Sequence, residues 1–108
     1  MKIIKASFVA AAAALAMAGG ALPAQAHSGH WIYVTGGQAK FDGTWLTVCD
    51  TAVDGNRVRA HLRSNTGNIY YSGWAPSQSC NTEGHPTSIV QFRVCAENHG
   101  CSAWHDRY

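Results

Sequence analysis

The stretch VRAHLR at residues 58–63 decides the fold class of this chain. Its apolar side chains alternate with two arginines and a histidine, and a period of two places them on opposite faces of a β-strand. The stretch VQFRV at residues 90–94 alternates in the same way. The sequence therefore predicts two strands, each with one buried face and one solvent face.

Other segments rich in β-branched and aromatic residues also predict strands, at residues 31–35, 44–49 and 68–74. The Asp54-Gly55 pair predicts a two-residue hairpin turn that joins residues 45–50 to residues 56–63, since such turns need positive φ. The polar residues 75–86 predict a long loop. We therefore expect an all-β fold, either a small antiparallel sandwich or a partly open barrel, cross-linked by two disulfides.

The first 26 residues have the three parts of a helical secretory signal peptide. Lys2 and Lys5 precede an Ala-rich apolar run at residues 6–18, and the small-residue sequence Ala24-Gln25-Ala26 ends the segment. The apolar run is too short for a good transmembrane span. We expect cleavage after Ala26, release from the membrane into the extracellular space, and a single β domain over residues 27–108.

The charge of that domain is balanced. Two of the 8 Lys and Arg residues, Lys2 and Lys5, lie in the predicted signal, and the remaining six equal the 6 Asp and Glu residues in number. A domain with no net charge exerts no general attraction on nucleic acid. We therefore expect no nucleic-acid partner, and any basic character must be local.

Four cysteines in an exported domain of this size indicate disulfides, although four cysteines allow three pairings. We expect Cys49 to pair with Cys80, which joins a predicted strand to the long polar segment. Cys95 and Cys101 would then close a short loop.

A zinc site is the alternative use of the second cysteine pair. Cys95, His99, Cys101 and His105 form a string of possible ligands. Their spacing matches none of the common structural zinc patterns, and an oxidising exterior favours disulfides over thiolates.

The six histidines raise two further alternatives. If cleavage follows Ala26, the amine and imidazole of His27, with His30 as a helper, could chelate copper(II). His61 or His85 could instead perform acid–base cleavage as in a small secreted hydrolase. No nucleophile motif such as G-x-S-x-G accompanies either histidine.

Arginines and aromatic residues supply the candidate binding surface. Its proposed members are Arg57, Arg59, Arg63, Tyr70, Tyr71 and Trp74. Arg93 would join them if its strand lies next to residues 58–63. Charged side chains on a solvent face can simply prevent aggregation of sheet edges, whereas exposed Trp, Tyr and Arg are favoured anchors in recognition.

The chain resembles small secreted actinobacterial proteins, which are disulfide-bonded β domains with no assigned function. The resemblance covers about residues 41–101. It rests on the signal, Thr47-Val48-Cys49-Asp50, Asp54-Gly55 before an alternating strand, the isolated Cys80, and Gln91-Phe92-Arg93-Val94-Cys95 followed by Cys101. It implies the architecture and transfers no catalytic residue.

Size, cysteine count and β character are also similar to those of small secreted α-amylase inhibitors. Their contiguous Trp-Arg-Tyr triplet is absent here, and Trp104, Arg107 and Tyr108 are the nearest approximation. We therefore expect a secreted, non-catalytic binding module without a cofactor, whose partner is an extracellular protein or glycan.

Overall fold

The structure is a computed structural model that describes residues 29–108. The predicted signal and His27 lie outside the described residues. Within residues 29–108 the chain forms nine strands and no helix: β1 Ile32–Val34, β2 Gly37–Asp42, β3 Trp45–Asp50, β4 Val58–Ser64, β5 Ile69–Tyr71, β6 Cys80–Gly84, β7 Ile89–Ala96, β8 Gly100–Cys101 and β9 His105–Asp106. Accordingly, no helix in this range is long and apolar enough to cross a membrane.

The nine strands form two antiparallel sheets, which confirms the predicted all-β sandwich. Sheet 1 has the order β1-β2-β3-β6. Sheet 2 has the order β5-β4-β7, and both β8 and β9 pair with the outer side of β7. Strands β4 and β7 are therefore interior strands of sheet 2, with a hydrogen-bonded neighbour on each side.

The core lies between the sheets and contains the inward-facing side chains that the alternation predicts. Leu46 and Val48 of sheet 1 and Val58, Leu62 and Val94 of sheet 2 are the largest fully buried side chains. An edge-to-face contact joins the rings of Phe41 and Phe92, whose centroids lie 5.1 Å apart. This geometry is favourable for aromatic pairs and ties the two sheets together.

The predicted hairpin at Asp54-Gly55 is wrong. Strand β3 pairs with β2 and β6 in sheet 1, whereas β4 belongs to sheet 2, so residues 51–57 cross from one sheet to the other. The turn itself is real, because Gly55 has a φ of 73° and the Asp54 carboxylate accepts a hydrogen bond from the Asn56 amide. A local turn signal does not determine which strands pair beyond it.

Four observed strands lie outside the segments that the sequence predicts. Strand β2 starts at Gly37, where a Cβ atom would lie 2.5 Å from a Val58 methyl group, so a glycine permits close packing of the sheets. Strand β6 lies within the predicted long loop and is an exposed, polar edge strand. Strands β8 and β9 have two residues each and give no periodic signal.

Both predicted disulfides are confirmed, and each sheet contains one. Cys49 lies directly opposite Cys80 across β3 and β6, and Cys95 lies directly opposite Cys101 across β7 and β8. Each bond therefore joins two neighbouring strands that are already hydrogen-bonded.

A buried arginine near the C-terminus joins the ends of the two sheets. Only 4% of Arg107 is exposed, and its guanidinium lies 4.2 Å from the centre of the Phe41 ring. It donates hydrogen bonds to four backbone carbonyls, those of Gly43, His85, Pro86 and Ile89. Burial lowers the pKa of Arg107. The sequence contains no signal for this role.

Candidate functional site

The outer face of sheet 2 collects polar and cationic side chains in rows. Strand register places His61 opposite Arg93 and Arg63 opposite Gln91, so β4 and β7 bring their outward residues together. The condition under which Arg93 joins the arginines of β4 is therefore met, because β7 is the neighbour of β4. Tyr71 of β5 extends the His61 row on its other side.

Guanidinium groups and aromatic rings form an unbroken series of contacts across this face, which we call the arginine ladder. Its members in order are Arg57, Trp74, Arg59, Tyr71, His61, Arg93, Trp104 and Arg63.

Each tryptophan of the arginine ladder contacts two guanidinium groups. The Trp74 ring centre lies 4.1 Å from the Arg57 Cζ atom and 4.3 Å from the Arg59 Cζ atom. The Trp104 ring centre lies 4.1 Å from Arg63 Cζ and 4.6 Å from Arg93 Cζ. These distances are typical of cation–π contacts, which fix the positions of otherwise flexible arginines.

Tyr71 and His61 connect the two halves of the arginine ladder. The Tyr71 ring centre lies 4.2 Å from Arg59 Cζ, and its centroid is 4.8 Å from that of the His61 ring. The Arg93 side chain donates hydrogen bonds from Nε and Nη2 to His61 Nδ1, over 3.3 and 3.2 Å. Because Arg has donors only, His61 Nδ1 must be the acceptor and its proton lies on Nε2.

Stacking occupies the guanidinium faces but leaves the N–H donors at their edges available, since these donors lie in the guanidinium plane. Arg59 makes no side-chain hydrogen bond or ion pair with any residue in the range 29–108. Arg63 donates one hydrogen bond, to Gln91. The arginine ladder is therefore a set of positioned cations with unused donors.

The nearby carboxylates lie at the two ends of the arginine ladder. At one end Glu97 forms an ion pair with Arg57, with 2.7 Å between Oε2 and Nη2. At the other end Asp106 accepts a hydrogen bond from Gln91. Arg59, Arg63 and Arg93 have no carboxylate within 4.0 Å in the part of the chain that the structure describes. Positive charge is therefore concentrated locally on an otherwise balanced domain.

The electrostatic surroundings of His61 oppose its protonation. Partial burial lowers the pKa of His61, and the positive charges of Arg93 and Arg59 lower it further. The other groups that face it are Arg63 on its own strand, the Tyr71 ring, and the disulfide sulfur of Cys95 at 3.5 Å from Nδ1. No carboxylate hydrogen-bonds to His61 within residues 29–108. These surroundings therefore favour the neutral imidazole.

The four residues of the alternative zinc site, Cys95, His99, Cys101 and His105, do not form a group of possible ligands in the part of the chain that the structure describes. Cys95 and Cys101 form a disulfide, and His99 Nε2 lies 3.4 Å from Asp54 Oδ2. The structure instead brings His61 close to the two sulfurs, with the three ligand atoms within 4.8 Å of one another. Zinc binds cysteine as the thiolate, so the disulfide-bonded protein offers no zinc site here.

The alternative histidines lie elsewhere. His30 and His105 both line a cavity of about 320 Å³, whereas the proposed copper ligand His27 lies outside the described residues. His85 Nε2 lies 2.5 Å from Glu83 Oε2. Burial disfavours ionisation of Glu83, but hydrogen bonds from Gly73, Asn81 and His85 lower its pKa overall. Within residues 29–108 no Ser, Thr or Cys side chain hydrogen-bonds to His85, so this pair lacks a bound nucleophile.

Five of the six predicted surface residues converge, since Arg57, Arg59, Arg63, Tyr71 and Trp74 all belong to the arginine ladder. Tyr70 does not. It lies opposite the buried Leu62 and therefore points to the other side of β5.

Three members of the arginine ladder are absent from the six-residue predicted surface: Arg93, which was expected there only if its strand lay beside β4, and His61 and Trp104. His61 lies between Arg59 and Arg63 with the same spacing, so its position on the solvent face follows from period two. Trp104 lies in the irregular link between β8 and β9, and no sequence pattern indicates its contact with Arg63 and Arg93.

The fold and this face define a small, disulfide-bonded β-sandwich with a preorganised cationic surface on interior strands. No family model, curated protein or solved structure matches the chain.

Proposed function

We propose that the protein is an exported, non-catalytic binding module that contacts an anionic extracellular partner through the arginine ladder. The observation that carries the proposal is that Arg59, Arg63 and Arg93 are held against aromatic rings without a carboxylate partner. Two disulfides in so small a domain support export to an oxidising compartment.

The position of the arginines favours recognition over protection from aggregation. Charged residues protect a sheet when they lie on an edge strand. Here β4 and β7 are interior strands, so their arginines do not protect an open edge from pairing with another chain. Stacking also reduces the side-chain entropy that would be lost on binding, which is how a preorganised surface gains affinity.

Removing two central cations should abolish most of the binding. We expect the double substitution Arg59→Ala/Arg93→Ala to weaken binding of a suitable polyanion about 30-fold, because each exposed charge pair contributes up to about 1 kcal/mol. Binding is measured by two-dimensional NMR titration with dextran sulfate, polyglutamate, polygalacturonate and inorganic polyphosphate.

The matched control is Lys40→Ala, which removes a cation that lies against Trp31 on sheet 1, and neutral dextran is the ligand control. Signals of the outer face of sheet 2 should shift with at least one polyanion and should not shift with neutral dextran. The Lys40→Ala variant should show the same shifts as the wild type. If no polyanion shifts these signals, or if the double variant binds as tightly as the wild type, the proposal is wrong.

Acidic pH should strengthen polyanion binding through His61. The pKa of His61 is lowered in the free protein by burial and by Arg93 and Arg59, and an anion placed beside it favours the protonated form. Affinity for dextran sulfate, which stays ionised throughout, should therefore rise about fivefold as the pH falls from 7.5 to 5, equivalent to about 1 kcal/mol.

The same residue should act oppositely on the stability of the ligand-free protein. The unfolded state binds a proton at His61 more readily than the folded state, so stability falls as the pH drops below the ordinary histidine pKa toward the lowered one. His61→Gln should remove both effects. If the His61→Gln variant kept the full pH dependence of binding, that dependence would come from another histidine.

A further inference from the structure

The arginine ladder is long and bounded. Arg57 and Arg63 are six residues apart on an extended chain, which corresponds to about 20 Å at about 3.4 Å per residue. Glu97 and Asp106 limit the cationic strip at its two ends. A single small anion cannot contact all of its cations, so a ligand that uses the whole strip must be an extended polymer.

The spacing of the cations suits a polymer of moderate charge density. Outward residues of one strand are about 6.8 Å apart, and the outward residue between Arg59 and Arg63 is His61, not a third arginine. Duplex DNA carries one negative charge per about 1.7 Å of its axis, and its binding is driven by many phosphate contacts. A strip with few cations on a domain of balanced charge does not match that density.

The aromatic rings of the arginine ladder are not available as base-stacking platforms. Proteins that bind single-stranded nucleic acid place bases against aromatic faces. Here guanidinium groups already lie 4.1 to 4.6 Å from the centres of the Trp74 and Trp104 rings. The ligand must be recognised by the edges of the guanidinium groups, which offer N–H donors to carboxylate and hydroxyl oxygens.

The surface also lacks the features that hold a peptide. An extended peptide adds to an open strand edge, but the arginines lie on or next to β4 and β7, which are paired on both sides, and the three-residue edge strand β5 contributes only Tyr71 to the arginine ladder. Peptide recognition otherwise uses apolar anchors in pockets, and Leu62, Phe92 and Val94 of these strands point inward and are buried. The donors that remain exposed suit a ligand rich in hydroxyl and carboxylate groups.

On the basis of the proposed function, we propose that the arginine ladder binds a linear acidic polysaccharide built from uronic acid units. The carboxylates of successive uronic acids receive hydrogen bonds from the edges of the Arg59, Arg93 and Arg63 guanidinium groups. The intervening sugar hydroxyls face the polar side chains of the strip, among them Gln91.

The test is a calorimetric and NMR titration with galacturonate oligomers of two to eight units. Affinity should rise with length and then level off once the oligomer covers the strip. The octamer should bind at least tenfold more tightly than polyglutamate of equal charge, and its fully methyl-esterified form should not bind. Arg59→Ala/Arg93→Ala should weaken octamer binding about 30-fold, since each exposed ion pair contributes up to about 1 kcal/mol, whereas Lys40→Ala should leave it unchanged.

A second variant separates the contribution of bidentate hydrogen bonding by arginine from the contribution of its charge. Arg59→Lys/Arg93→Lys keeps both charges but cannot make bidentate contacts with a carboxylate, so it should bind the octamer with an affinity between those of the wild type and the alanine variant. The polysaccharide inference is overturned if polyglutamate or duplex DNA binds the sheet 2 face more tightly than the octamer, a result that leaves the proposed function intact. If only dextran sulfate or inorganic polyphosphate shifts sheet 2 signals, the polysaccharide inference fails and the proposed function stands. If no polyanion shifts them, both proposals fail.

Discussion

Replacing Arg107 by Ala should lower the free energy of unfolding by at least about 3 kcal/mol, because several hydrogen bonds from a charged group are lost and each contributes about 1.5–3 kcal/mol. Only 4% of the residue is exposed, and it donates to four backbone carbonyls from two segments, Gly43 in the β2–β3 turn and three within residues 85–89. Its removal takes one donor from each of these carbonyls, of which Pro86 keeps only its hydrogen bond from the Ile89 amide, and opens space beside Phe41. A small domain has a total stability of about 5–15 kcal/mol, so the loss would be severe.

Urea unfolding followed by circular dichroism measures this change. Arg63→Ala is the matched control, because Arg63 lies on the half-exposed outer face and accounts for one hydrogen bond; it should cost less than about 1 kcal/mol. Arg107→Lys keeps a charge but cannot reach the separate carbonyls at once, so it should destabilise nearly as much as Ala. A loss below 1 kcal/mol for Arg107→Ala would contradict the structural role assigned to this residue.

Removing the disulfide of sheet 1 should cost more stability than removing that of sheet 2. Cys49 and Cys80 are 31 residues apart, whereas Cys95 and Cys101 are 6 apart. The loss of chain entropy in the unfolded state grows with loop length, which gives about 4 kcal/mol for the first bond and about 2 kcal/mol for the second. Cys49→Ala/Cys80→Ala should therefore unfold at lower urea concentration than Cys95→Ala/Cys101→Ala.

The two double variants serve as controls for each other, because each removes one cross-strand pair of the same kind. Intact mass of the non-reduced proteins verifies that the remaining disulfide has formed. Equal stability of the two variants, or a greater loss in the variant without Cys95 and Cys101, would show that loop length does not govern the effect.

The sequence predicts strand position better than strand pairing. The alternation in VRAHLR is local, and β4 follows it with Val58, Ala60 and Leu62 buried. The assignment of β3 and β4 to different sheets depends on which faces pack together across the core, and no turn motif encodes that. Strand β6 escaped prediction because an edge strand needs no apolar face of its own.

The sequence likewise predicts only part of the candidate site. Period two places Arg59, His61 and Arg63 on one face, so a cationic strip follows from sequence. Trp74 and Trp104 reach that strip from irregular segments after β5 and β8, and only the folded chain brings them there. The sequence does not distinguish Arg107 from the surface arginines, because a cation that is buried among backbone carbonyls belongs to no periodic pattern of apolar and polar residues.

The placement of the four tryptophans makes ligand binding at the arginine ladder detectable by intrinsic fluorescence. Trp74 and Trp104 lie at opposite ends of the arginine ladder, each beside two cations, while Trp31 contacts Lys40 of sheet 1 and Trp45 lies exposed on β3 of the same sheet. Indole emission depends on nearby charge. A bound anion that draws the guanidinium groups away from Trp74 or Trp104 therefore changes the intrinsic fluorescence without any attached label, and Trp→Phe substitution at either end tells which half of the strip is occupied.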